Sequence, residues 1–533
     1  MTSYDAVVIG SGPNGLVAAN HLADAGWSVL VLEGQPDLGG AVRSANDVHP
    51  DFVHDTFSAF YPLAAASPTI KSFGLEDHGL TWTHAPAVLG HPLPDGQWAL
   101  LDRDRQLTAA WFEEQQPGDG EAWLDLCRDW DVIGEDLIKG LLTPFPPVRA
   151  TLGGLVKLPR VGGLQFVRTL LTPALDLGRN RFRGEAPRVL LAGNAGHADI
   201  PLDAPGSGLM ALMMSMMGQT VGFPVPEGGA GELTQALARR LRSLGGEIRC
   251  SSPVERISTS HGRARTVHTA DGLTVEARRA VVATVVAPRL YDDLLDPADV
   301  PHRVRRGMKA FQLDPSTVKV DWALSGPVPW QSTPAKAPGT VHMADGVTDM
   351  AEALGQVAAG LVPARPFMLA GQMTTTDPTR SPAGTESMWA YTHVPQETDG
   401  DAGDSSGSGG IRGVWDHDDL ERFADRMQAR FEKLAPGFGS LVLERRILGP
   451  VELESRDANL IGGAINGGTS QLHQELVFRP VPGLGRAETG VPGLYLGGAS
   501  AHPGGGVHGA AGMNAARAAL AHSRVRRLTG RRR

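Results

Sequence analysis

Gly10, Gly12 and Gly15 punctuate the stretch Gly10-Ser-Gly-Pro-Asn-Gly15. That spacing suits a loop holding a pyrophosphate. The first glycine permits a tight turn, the second lets the backbone approach the phosphates, and the third lets a helix sit close to a sheet. Pro13 and Asn14 would open the helix, whose free N–H groups and dipole favour an anion at its start. Glu33 follows about twenty residues on, where a carboxylate can accept from both hydroxyls of a ribose. These residues together predict a bound dinucleotide.

Three features favour FAD over a nicotinamide dinucleotide. Gly39, Gly40, Ala41, Val42 and Arg43 form a second close-approach loop soon after Glu33. A nicotinamide domain would continue its sheet there. The C-terminal run Gly497 to Gly512 contains Gly498, Ala499, Gly506, Val507 and His508, and it leads into a helix over Met513 to His522. That helix aims a second N-terminus at the cofactor. The sequence also holds no second strand–GxGxxG–helix unit for a separate NAD(P).

These residues need a βαβ frame. Asp5 to Ile9 reads as a short buried strand. Asn14 to Ala25 has helical apolar spacing and ends at Gly26, and Ser28 to Leu32 reads as a second strand. From about 76 to 224 tryptophan and proline become frequent, and apolar helices such as 121–142 appear. The α/β style returns with a helix over Glu232 to Leu244. Strands follow at Glu247 to Cys250, Pro253 to Ile257, Val267 to Val275 and Ala280 to Thr284. From about 296 to 484 the chain resembles the earlier region again, with an alternating strand at Thr317 to Ala323. The expected fold is α/β, a Rossmann-type FAD-binding domain (glutathione reductase-like or amine oxidase-like) interleaved with a substrate domain of mixed sheet and helices. Residues 1–75, 225–295 and 485–533 form the first domain, and 76–224 and 296–484 the second. Residues 398–410 are nearly devoid of apolar side chains, which predicts a mobile surface loop.

The 533 residues carry a net charge of -9, which argues against nucleic acid as a partner. Cys127 and Cys250 form no CxxC, so the chain suits a reducing compartment and lacks the dithiol of a flavin–disulfide reductase. No metal-ligand set is expected. Neither a signal peptide nor a membrane-spanning run is legible, so the expected location is the cytoplasm. Two features leave a peripheral contact with the inner membrane face open. They are the basic tail Arg524 to Arg533 and the Met-rich stretch 208–217, for which a buried helix is the commoner reading.

The chain resembles the phytoene desaturase-related FAD oxidoreductases. It is most similar to the branch of pyridine nucleotide-disulfide oxidoreductase domain-containing protein 2 and the bacterial carotene ketolases. The matching pieces are residues 5–43, His54 to Ser58, Gly228-Gly229 with the following helix, Trp389 to Pro395, and Val491 through Ala516. The resemblance implies non-covalent FAD, an adenine contact near Val254, and a flavin ring near His502 to Ala510. Flavin amine oxidases hold a water at flavin N5 with a lysine on a strand comparable to that of Lys319, which implies the same role here. The alternative is a surface lysine paired with Asp321. His54 and Asp55 are candidates for the ring edge, and His502 and His508 flank the glycine loop. Each histidine is a candidate acid or base, with a hydrogen-bonded structural role as the alternative.

The expected activity is FAD-dependent oxidation of an apolar, isoprenoid- or carotenoid-like substrate by hydride transfer to flavin N5, or a related redox isomerisation. Oxygen or a quinone would accept the electrons. Two alternatives stand: a flavin amine oxidase, and an FAD-binding protein whose role is partner binding. The oligomeric state is not legible.

Overall fold

The computed structural model describes residues 2–404 and 410–528. Three apolar runs, Ala6–Ile9, Val29–Leu32 and Ala280–Ala283, are buried along their whole length. Continuous apolar strands of this kind belong to a parallel sheet covered on both faces. Five parallel strands run in the order Leu494–Leu496, Thr274–Ala283, Thr2–Ile9, Val29–Leu32, Glu247–Arg249. The helices Pro13–Asp24, Gly231–Ser243 and Ala510–Leu528 share one apolar core with this sheet. An antiparallel meander, Val254–Ser260 with Arg263–Thr269, feeds into Thr274–Ala283 and helps cover the other face.

The strand expected over Val267 to Val275 is two strands. Asp271-Gly272 makes the turn between them, with Gly272 at φ +82. A positive φ is easy for glycine and reverses the chain within a few residues. The short strand expected at Ala280 to Thr284 is the end of the ten-residue strand Thr274–Ala283.

The second sheet has the order Val442–Leu448, Ser316–Leu324, Glu386–Val394, Met368–Gln372, Pro338–Met343, Ala87–Pro92, Trp98–Leu101. It is mixed: Pro338–Met343 pairs parallel with Ala87–Pro92, and the other pairs are antiparallel. Helices Asp119–Leu142, Glu185–Ala195 and Ser207–Thr220 share a core with one face, and His417–Leu434 with the other. The Met-rich helix Ser207–Thr220 is therefore interior, with Met213, Met214, Met216 and Met217 all buried. Dipping into a membrane surface is not open to it.

The mobile loop expected at 398–410 needs correcting at its start. Gly400–Asp401 pairs with Leu361–Val362, and both Asp401 oxygens accept from Arg426, at 2.8 and 2.7 Å. An acidic residue read as loop material is fixed by a distant arginine. Residues 405–409 lie outside the described residues, as does the end of the basic tail, 529–533. Among the described residues, no helix is long and apolar enough to cross a membrane.

Candidate cofactor site

The carboxyl ends of the parallel strands open onto one cavity of about 670 Å³, a size common for ligand sites. Gly10 follows Thr2–Ile9, Glu33 follows Val29–Leu32, Thr284 follows Thr274–Ala283 and Gly498 follows Leu494–Leu496; all four line it. Ligands of open α/β sheets bind at this edge.

Each glycine of the first loop has its own steric reason. Gly10 sits at φ +96, and a Cβ there would stand 2.6 Å from the Thr284 hydroxyl. A Cβ on Gly15 would overlap the Gly10 carbonyl, so only glycine lets the helix begin this close to the strand. Gly12 differs: a Cβ would meet nothing nearer than Gly40 Cα at 3.9 Å, and would stand in the cavity instead. Helix Pro13–Asp24 has no side-chain cap, and Pro13, Asn14 and Gly15 line the cavity. Uncapped first-turn amides and an open backbone at Gly12 are what a pyrophosphate requires.

Glu33 is buried at the cavity edge. Its Oε2 accepts from the Ser11 amide at 2.8 Å and the Ser11 hydroxyl at 2.7 Å, and its Oε1 from the Gln35 amide at 2.9 Å. Four lone-pair sites on the carboxylate leave Oε1 able to accept a further donor. Ser11 also accepts from the Gly39 amide at 3.2 Å, tying the two glycine loops together. Two buried donors near the site, Arg43 Nε and Arg289 Nε, have no hydrogen-bond partner, and Arg289 lines the cavity. Buried donors left unpaired are costly, so this cradle fits an anionic cofactor such as FAD.

Gly40 and Ala41 of the second loop line the cavity. Ala41 O accepts the Ser58 hydroxyl at 2.8 Å, and Val42 O accepts the Thr234 hydroxyl at 3.0 Å. Arg43 donates to Arg456 O at 2.8 Å and lies over the Phe57 ring. Val254 lines the cavity at the start of its strand, and Gly498 and Ala499 line it from the C-terminal loop. Gly506 and Val507 are not in that lining. A Cβ on Gly506 would meet Leu63 at 2.7 Å, and Val507 borders the core of the first helix.

The histidines are held by the backbone. His54 Nε2 donates to Trp322 O at 3.1 Å and His502 Nε2 to Thr143 O at 2.9 Å. Burial lowers the pKa of both below the ordinary histidine value. His508 Nδ1 accepts from the Ala510 amide at 3.0 Å, capping the last helix, and burial pushes its pKa down to about 4. None of the three lines the cavity. Each has the geometry of the structural alternative.

Lys319 shares a strand face with Thr317 and Asp321, as the alternation requires. It is buried, so the surface lysine weighed as its alternative is corrected in one respect. Its pairing with Asp321 is present, and its Nζ also donates to Asp55 O at 2.9 Å. Burial lowers the Lys319 pKa; burial would raise Asp321, but Lys319 and Arg446 hold it below the ordinary range. Asp55 Oδ1 accepts from Ser44, Ala230 and Arg380 at 2.7, 2.8 and 3.0 Å. The network thus joins the second sheet to the loops behind Arg43, whose carbonyl accepts from Thr56 at 2.9 Å. Lys319 does not line the cavity.

Toward the second sheet, Phe60, Leu63, Met210 and Tyr391 pack as partly buried side chains against one core. Three histidines in this region are held toward the neutral form, since burial lowers His197 to about 3, His91 to about 4 and His342 well below its ordinary value, whereas His393, against the Tyr391 ring, is raised by its partner Asp199.

Thr284, Arg289, Asp457, Asn459, Ile465 and Gly467 also line the cavity and were not singled out from sequence. Thr284 was within reach, because it ends a buried strand at the ligand-binding edge. Asp457 and Asn459 come from a loop after helix Pro450–Arg456, with no local signature.

The geometry has counterparts in known proteins. A family profile described as an NAD(P)-binding Rossmann-like domain matches residues 8–73, and one described as flavin containing amine oxidoreductase matches residues 159–349. Pyridine nucleotide-disulfide oxidoreductase domain-containing protein 2 of Mus musculus is 30% identical over 96% of this chain and 92% of its own length. The zeta-carotene-forming phytoene desaturase of Myxococcus xanthus is 25% identical over 94% of this chain and 90% of its own. A putrescine oxidase variant shares the fold with a TM-score of 0.61 at 16% identity, covering 98% of this chain and 99% of that one.

Proposed function

The chain belongs to the family of pyridine nucleotide-disulfide oxidoreductase domain-containing protein 2 and is an FAD-dependent oxidoreductase, and from that premise we propose that it dehydrogenates an apolar, isoprenoid-like substrate. The observation that carries this reading is a set of apolar side chains, Phe60, Leu63, Met210 and Tyr391, partly buried against the core of the second domain, with Leu63 beside Gly506 of the C-terminal loop. An uncharged chain could rest there without leaving a buried charge unpaired.

When bound, FAD supplies the two-electron acceptor, taking a hydride from a substrate carbon at N5. The residues of this chain bind and position. Gly10, Gly12 and Gly15 would admit the pyrophosphate, Glu33 would hold a ribose, and Val254 would border the adenine end. Helix Ala510–Leu528 directs its positive end toward the C-terminal loop, where it would stabilise negative charge by about 0.3–1 kcal/mol. The apolar side chains exclude water. No side chain is assigned as acid or base, because the histidines near the loop are held by backbone groups and do not line the cavity. The substrate proton would leave to solvent, and oxygen or a quinone would be the final electron acceptor.

A second reading, amine oxidation, is favoured by one feature. The Trp389 and Tyr391 rings lie side by side, 5.9 Å apart and 22° from parallel, and offer adjacent aromatic faces to a cation. Anaerobic mixing of the FAD-loaded protein with isoprenoids, amines and quinols separates the readings. Loss of the yellow absorbance with an isoprenoid supports the proposal. Bleaching by amines alone would transfer the assignment to the second reading, and bleaching by no class would favour a partner-binding role.

A further inference from the structure

Helix Val148–Lys157 is inverted in its amphipathicity. Val148, Leu152, Leu155 and Val156 fall at i, i+4, i+7 and i+8, which is one face of a helix. They are 59, 59, 57 and 76% exposed. The opposite face carries Ala150, Gly153 and Lys157, and it is this face that meets helix Asp119–Leu142. A Cβ on Gly153 would stand 2.9 Å from Asp136 Oδ1, Ala150 lies against Gly140, and Lys157 pairs with Asp136 at 2.6 Å. No residue of the helix is buried. The next helix, Leu164–Leu171, continues the pattern with Leu164 at 82% and Leu171 at 57% exposure.

The charge of this segment is one-sided. Residues 137–175 contain Lys139, Arg149, Lys157, Arg160 and Arg168 and no aspartate or glutamate, in a chain of net charge -9. Among the described residues, Arg149, Arg160 and Arg168 form no ion pair. Exposed apolar side chains interspersed with unopposed cations match an anionic bilayer surface, where the apolar groups enter the acyl boundary and the cations meet headgroups.

The segment also adjoins the cofactor end of the fold. His502 donates to Thr143 O at 2.9 Å and Asn514 to Leu142 O at 3.3 Å, so helix Asp119–Leu142 ends on the C-terminal loop and the last helix. We propose that the face formed by helices Val148–Lys157 and Leu164–Leu171 docks on the surface of an anionic lipid bilayer. This face is separate from the Met-rich helix, which is interior.

Cosedimentation of the FAD-loaded full chain with vesicles tests this, using phosphatidylcholine alone and phosphatidylcholine mixed with phosphatidylglycerol. Preferential binding to the mixed vesicles is expected. Replacing Arg149, Arg160 and Arg168 by Gln should weaken it about a hundredfold, at roughly fivefold per cation. Leu152→Ser, Leu155→Ser and Val156→Ser together should abolish it. FAD content and thermal unfolding should be unchanged, because these side chains are already exposed. No vesicle binding would overturn the proposal, as would binding that survives the serine replacements. Concentration-dependent dimerisation in sedimentation velocity, lost on the same replacements, would assign the face to a second copy and equally overturn it.

Discussion

The amide of Gly512 donates to the side-chain oxygen of Asn14 at 3.4 Å, although 498 residues separate them. A Cβ on Gly512 would overlap the Asn14 carbonyl oxygen. The last helix is thus wedged against the start of the first, and two helix N-termini converge on the same cofactor region. Gly512→Val should force them apart. Overpacking of this kind costs about 1–3 kcal/mol, and FAD retention should fall with it. Thermal unfolding and flavin content of the purified variant check this, and wild-type values for both would show that the contact is slack.

Glu33→Gln removes a charged acceptor from the Ser11 hydroxyl and amide, and from the ribose it is placed to hold. Hydrogen bonds to charged groups contribute about 1.5–3 kcal/mol, so FAD affinity should fall at least about tenfold. Titration of apoprotein with FAD, followed by flavin fluorescence, measures it. An unaltered affinity would remove Glu33 from the ribose.

Lys319→Met leaves the buried Asp321 carboxylate with Arg446, which donates to it at 2.8 Å. Breaking a buried pair costs about 3–5 kcal/mol, and the surviving arginine places this case at the low end. Lys319 bridges Asp321 and Asp55, so stability should drop while the rate of flavin reduction per bound FAD stays the same. Slowed reduction with unchanged stability would mean that the ammonium acts at the flavin instead.

Acid should destabilise the fold in a window set by histidines. His91 and His508 are held at about 4 and His197 at about 3 by burial, against an ordinary value near 6.5. The unfolded chain binds these protons first, so stability is fully present above pH 6.5. It is lost progressively as pH falls through the window down to about 4 and then 3. His393 has the opposite sign. Burial would lower it, but Asp199 at 2.5 Å raises it, so its contribution is present below the unfolded value and fades as pH rises. Glu386 and Glu475, raised to about 7 by burial, share the sign of His393 over this window, but His342, well below its ordinary value, adds to the histidine loss, so the melting temperature should fall between pH 7 and pH 4. A flat profile over that range would contradict the burial of these rings in neutral form.

The nucleotide cradle was legible because its chemistry is local. Gly10 to Gly15, Glu33 and the loop at Gly39-Gly40 announce themselves within about thirty residues, and a glycine that admits no Cβ leaves a clear trace. The meander was misread at Asp271-Gly272 because a short turn inside an alternating stretch resembles a continuation of a single strand. Asp457 and Asn459 reach the cavity from a loop after a short helix, and nothing near them in sequence marks the destination. His508 looked like chemistry beside a glycine run and proved to cap a helix. Lys319 and Asp321 could be placed on one strand face, but their burial depends on Asp55 and Arg446, which come from distant segments.

The central claim is that the cavity at the sheet's carboxyl edge holds FAD. Acid release of the cofactor from purified protein, quantified by absorbance and chromatography, measures this most directly. One FAD per chain is the predicted result. A nicotinamide dinucleotide alone, or no bound cofactor after incubation with FAD, would contradict it.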